Sequence, residues 1–75
     1  MTVSISAVNT RNQFRGLVVA IHRGDIVSEV EIETPAGIVG AIVTSSSIER
    51  LNLHIGDEAL ALFKATEVMI AKLEA

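Results

Sequence analysis

The residues with chemical reach fall into three groups. Thr44, Ser45, Ser46 and Ser47 form an unbroken run of hydroxyls, followed by Ile48-Glu49-Arg50-Leu51. Glu29, Glu31 and Glu33 stand at alternate positions, and His22 and His54 are the only imidazoles. A hydroxyl becomes a nucleophile only with a base and an orienting acid in reach, and no Ser-His-acid grouping stands at a known spacing. There is no Gly-rich phosphate loop, and with no Cys in the chain thiol chemistry and thiolate metal sites are excluded. The three glutamates project alike from one extended segment without closing round an ion, so they read as the wet face of a strand. Both histidines lie near predicted turns and read as surface residues, with a further role for His22 left open. The chain is expected to bind rather than to catalyse.

These groups need elements to hold them. Residues 1–9 are polar and mixed, an arm or a short first strand. Gln13–His22 is rich in β-branched residues and predicts a strand, bent at Gly16, with Arg23-Gly24-Asp25 as the turn. In residues 26–34, Val30 and Ile32 alternate with Glu29, Glu31 and Glu33, the period of a strand with one wet face. Pro35-Ala36-Gly37 supplies a hairpin turn, and Ile38–Val43 a further strand. Ser46 with Glu49 three positions on makes a capping box, which places a short helix over 46–51, ended by Asn52. Gly56-Asp57 is the next turn. Periodicity leaves residues 58–73 open between a helix and two strands, about 58–64 and 67–73. The strand reading gives five strands and one short helix, an all-β, OB-fold-like five-stranded Greek-key barrel.

A single domain over 1–75 is small. It hides only about 60% of the surface that its unfolded chain exposes, so its own core is marginal. Disulfides are absent and two histidines are too few for a structural metal cage, which leaves oligomerisation as the support. Hydrophobic residues are 49% of the chain and the mean hydropathy is +0.49, high for a small monomer. Leu60 and Leu62 would face one way, Ala59, Ala61 and Phe63 the other, so a second apolar face also needs a covering surface.

A membrane does not account for this apolarity. The longest apolar runs, Leu17–Ile21 and Ala59–Phe63, fall far short of a span of about 20 residues. No basic stretch precedes an apolar one at the N-terminus, so no signal peptide is expected and the protein is placed in the cytoplasm. Net charge is −3, and Phe14 and Phe63 are the only aromatics. A nucleic-acid binder would normally show a basic face and stacking platforms, so an OB-type nucleic-acid binder is disfavoured.

Three segments carry a resemblance. Asn9-Thr10-Arg11-Asn12-Gln13-Phe14-Arg15-Gly16 resembles the opening motif of the molbindin (Mop) family, usually Ser-Ala-Arg-Asn-Gln-Leu-Lys-Gly. The stretch from Ile42 to Leu51 is similar to that family's hydroxyl-rich segment before its short helix, and Gly56–Ile70 to its closing segment. The likeness covers 9–72, and the same domain is related to the TOBE modules of molybdate transporter ATPases and of a molybdate-responsive transcription regulator. It implies an OB-like subunit in a hexamer that stores or buffers molybdate or tungstate, and it favours strands in the C-terminal stretch. Carried over, the oxyanion site takes Arg11 with its neighbours Asn9 and Thr10, then Thr44 and Ser47, then Lys64 with the backbone at Ala65. The family usually has Ser where Asn9 stands, and Ala where Thr10 stands. Asn9 keeps a donor and Thr10 adds a hydroxyl, so affinity is expected to differ.

The implied donors suit the implied ligand. Molybdate is a tetrahedral dianion whose oxygens only accept, so its site should be rich in donors with positive charge to offset desolvation. Arg11 brings a planar fork and Lys64 a point charge. Thr44, Ser47 and Asn9 bring neutral donors, and the N–H groups at the start of the helix near Ser46 are a further source. With no carboxylate among them, the set disfavours a protonated anion such as phosphate near neutral pH. Taken singly, the hydroxyl run is a helix cap, Arg11 a solvated charge and Lys64 a snorkelling edge residue. The competing function is a self-associating structural or regulatory module of the same fold that has lost anion binding.

Overall fold

The computed structural model describes residues 11–74. Asn9, Thr10 and the expected N-terminal arm or strand lie outside them. The first strand, β1 (Asn12–His22), is followed by β2 (Val27–Thr34), β3 (Gly37–Thr44), helix α1 (Ser45–Leu51) and β4 (Glu58–Phe63). All neighbours are antiparallel, in the order β3-β2-β1-β4. Among the described residues the fold is mostly β with one short helix, as expected, and the sheet has four strands.

Alternation in β2 sets the inside. Ser28, Val30, Ile32 and Thr34 are buried, and the glutamates between them take the other face. Val18 and Ile21 of β1, and Val39, Ala41 and Val43 of β3, stand in register with that buried row. Ile48 of α1 closes the core over Val18, Val30, Ile32 and Ala61. A side chain of that size, buried fully, contributes about 1.5–3 kcal/mol.

Two local devices fix the sheet. Gly16 lies where a Cβ would overlap the Glu33 carbonyl, so β1 and β2 approach closely only without a side chain there. The strand continues through Gly16; the irregularity falls at Val19, which is extruded as a β-bulge between Val18↔Ile32 and Ala20↔Glu31. The β2–β3 turn closes with Gly37 at φ +115°. Thr34 Oγ1 donates to Gly37 O (2.7 Å) and accepts the Ala36 N–H (3.1 Å).

The helix differs in detail from expectation. Its N-cap is Thr44 rather than Ser46, because Thr44 Oγ1 accepts the Ser47 N–H and Ser45 is drawn under the sheet. Ser45 Oγ donates to Gly24 O at 2.6 Å, so Ser28 must donate in its 2.6 Å contact with Ser45; Ser28 accepts the Gly24 N–H in turn. Glu49 is thereby released from the capping box and pairs with Arg23. Asn52, left-handed at φ 51°, ends the helix as expected.

The strand expected over 67–73 is not part of this sheet. A single 3-10 turn covers Ala65–Glu67, and Met69, Ile70 and Leu73 beyond it are 93%, 95% and 91% exposed. A strand needs an edge to pair with, and among the described residues these pair with none.

Candidate functional site

Two groups of donors stand apart on the sheet. The first is built by the end of β3 and the start of α1. Thr44 Oγ1 lies 2.6 Å from Ser47 Oγ and 3.3 Å from Ser46 Oγ, and either atom of each pair can hold the proton. Thr44 and Ser46 are exposed and Ser47 is half-buried, so these hydroxyls can turn outward toward a ligand. Arg50, one helical turn on, donates to Ser47 Oγ at 3.4 Å. Sequence reasoning passed over Arg50, although the i, i+3 spacing from Ser47 was its signal. The nearby acid, Glu49, is held away by Arg23 at 3.2 Å.

The second group sits at the start of β1. Asn12 is in register with Phe63, so Arg11 and Lys64 flank the same end of the β1–β4 ladder, with Ala65 next along. All three are exposed. Asn9 and Thr10, which precede Arg11, lie outside the described residues.

One chain does not unite the groups. Thr44 pairs with Val27 at the His22 end of the sheet, whereas Arg11 and Lys64 lie at its Asn12 end. The intervening length of β1 is on the order of 30 Å. The geometry therefore offers a neutral, hydroxyl-rich half with one guanidinium, and a doubly cationic half, each open to solvent. Neither half contains a carboxylate, and both suit an acceptor-only ligand.

The fold and these donors define a small, mostly β domain of the binding-module class. The chain belongs to the TOBE domain family, whose model matches residues 9–70. It is 38% identical over 64 residues to a probable molybdenum-pterin-binding protein of Haemophilus influenzae, covering 84% of this chain and 93% of that one. Its structure resembles a molybdate-binding protein from Sporomusa ovata with a TM-score of 0.83 at 29% identity, covering 88% of this chain and 98% of the other. It also resembles the cytoplasmic molybdate-binding protein ModG, in a form with molybdate bound, with a TM-score of 0.73 at 30% identity. That match covers 79% of this chain and 43% of ModG.

Proposed function

We propose that the chain binds molybdate, and tungstate with it, at sites completed between copies of itself, serving intracellular molybdenum storage or homeostasis. The observation that carries this is the separation of the two donor groups. Thr44 and Ser47 of one copy would meet Arg11, Lys64 and the Ala65 backbone of another, with Asn9 and Thr10 beside Arg11. The relatives named for molybdate and molybdenum-pterin support the choice of anion. Tungstate, close to molybdate in size and charge, would be held by the same donors. The role is reversible sequestration in the cytoplasm, without a reaction.

The same reading accounts for the exposed C-terminal stretch. With five apolar side chains buried in the core among the described residues, Ile26, Ile42 and Leu51 stay exposed as well as Met69, Ile70 and Leu73. Exposed apolar area on this scale marks an association surface. We infer that residues 67–73 become the fifth strand, and the barrel closes, when copies assemble as a hexamer. The runner-up, an interaction module without anion binding, shares that surface and differs only in the ligand.

Native mass spectrometry with molybdate, and with sulfate as competitor, tests the proposal. A hexamer that gains several molybdates not displaced by sulfate is expected. A hexamer that takes up none would favour the runner-up, and a monomer would overturn both.

A further inference from the structure

The β-bulge at Val19 changes what His22 faces. Residues directly opposite in an antiparallel pair share a face of the sheet. Before the bulge Val18 stands opposite Ile32 on the buried face; after it Ala20 stands opposite Glu31 and His22 opposite Glu29. The inserted residue moves the end of β1 onto the glutamate face. An unbulged β1 would set His22 against Ser28, in the buried row.

The consequence is a convergent set of unlike donors. One ligand atom each from His22, Glu29 and Glu31 lies within 4.8 Å of the others. His22 Nε2 and Glu31 Oε2 are 3.7 Å apart. Two ligands held at about 2.1 Å from a tetrahedral ion are separated by about 3.4 Å, so this pair needs almost no adjustment and Glu29 a rotamer change. Glu29 has the room: its Oε2 lies over Gly40 of β3, 3.9 Å from where a Cβ would stand. The sequence-based objection, that three glutamates on one strand cannot close round an ion, does not apply, because the third ligand is an imidazole from the neighbouring strand.

The plain alternative is a solvated His–Glu pair, which at an exposed position adds little. It leaves Glu29 unneutralised beside Glu31. Among the described residues the Arg–Glu pairs are Arg15–Glu58 and Arg23–Glu49, and no Lys or Arg pairs with either glutamate of the cluster. A dication between them would neutralise both carboxylates and use the imidazole.

We propose that His22, Glu29 and Glu31 bind a divalent transition-metal ion of the zinc type, on the sheet face away from the core. One imidazole with two carboxylates suits Zn2+ or Co2+ better than Mg2+ or Ca2+, which take all-oxygen sets. The site shares no residue with the oxyanion groups and stands or falls separately from them.

Because the chain has only two histidines, His54 is an internal control. Among the described residues it pairs with one carboxylate, Asp57, at 3.9 Å. The test uses protein without a histidine tag, titrated with Co2+ alone and followed by the imidazole proton signals, and with Zn2+ alone followed by calorimetry. Co2+ is expected to broaden His22 well before His54, and Zn2+ to bind one per chain in the presence of excess Mg2+. His22→Ala and Glu31→Gln, with Glu29→Gln as the variant mildest to the fold, should each weaken Zn2+ at least about 10–100-fold, the loss typical even of outer-shell changes. Equal broadening of both histidines, or unchanged Zn2+ affinity in folded Glu29→Gln and Glu31→Gln proteins, would overturn the assignment.

Discussion

Thr44 Oγ1 accepts the Ser47 backbone N–H at 3.2 Å while lying 2.6 Å from the Ser47 hydroxyl. One side chain thus starts α1 and anchors the hydroxyl group proposed to meet the anion. The two roles separate by substitution. Asp is as good an N-cap as Thr, so Thr44→Asp should melt within about 1 kcal/mol of the parent, whereas Thr44→Ala should lose about 1 kcal/mol of stability. A carboxylate facing a dianion should nevertheless abolish molybdate binding in Thr44→Asp. Paired melting curves and calorimetry decide this; full affinity in the Asp variant would remove Thr44 from the site.

Ser28, Ser45 and the Gly24 backbone form a closed network beneath the start of α1. Ser45→Ala leaves the Gly24 carbonyl and the Ser28 hydroxyl without this partner, at a cost of about 1–3 kcal/mol. The Ser28→Ala/Ser45→Ala double variant should lose clearly less than the sum of the two singles, since the groups act as one unit. Urea denaturation of the three variants gives the coupling, and simple additivity would contradict the network.

Gly16 permits the close approach of β1 to β2 at Glu33. Gly16→Ala must push the strands apart, with a loss of about 1–3 kcal/mol, the range of an overpacked core site. In a chain this small that should be visible as a clear drop in melting temperature. A melting temperature equal to the parent's would mean that the ladder shifts freely there.

Ile70 and Leu73 are almost fully exposed in the single chain. Ile70→Glu with Leu73→Glu should leave the strand content by circular dichroism unchanged and lower the assembly state in light scattering. Each residue, if buried on assembly, contributes about 1.5–3 kcal/mol per copy. An unaltered assembly would place the association surface elsewhere, with Ile26, Ile42 and Leu51 the next to test.

Much of the architecture was legible residue by residue. The Val30/Ile32 alternation against Glu29, Glu31 and Glu33 identified β2 and its buried face, because side chains in a strand alternate strictly. Asn52 and the Pro35-Ala36-Gly37 turn were readable for a similar reason: their backbone chemistry is local. The capping-box reading of Ser46 and Glu49 misplaced the start of α1, since the hydrogen bonds that Ser45 makes with Gly24 and Ser28, distant in sequence, outweighed that local pattern.

Sequence by itself determined that this is a small, cysteine-free, mostly β chain with more apolar surface than its core can hold, and that its hydroxyl run precedes a helix. Composition and period carry such facts because each depends on residue type and near neighbours. Only the tertiary structure decided that Thr44 and Ser47 lie at the opposite end of the sheet from Arg11 and Lys64, and that residues 67–73 pair with no strand among the described residues. It alone turned His22 toward Glu29 and Glu31. Each of these depends on strand register and on one extruded residue, Val19, and register is set by pairing between segments far apart in the chain.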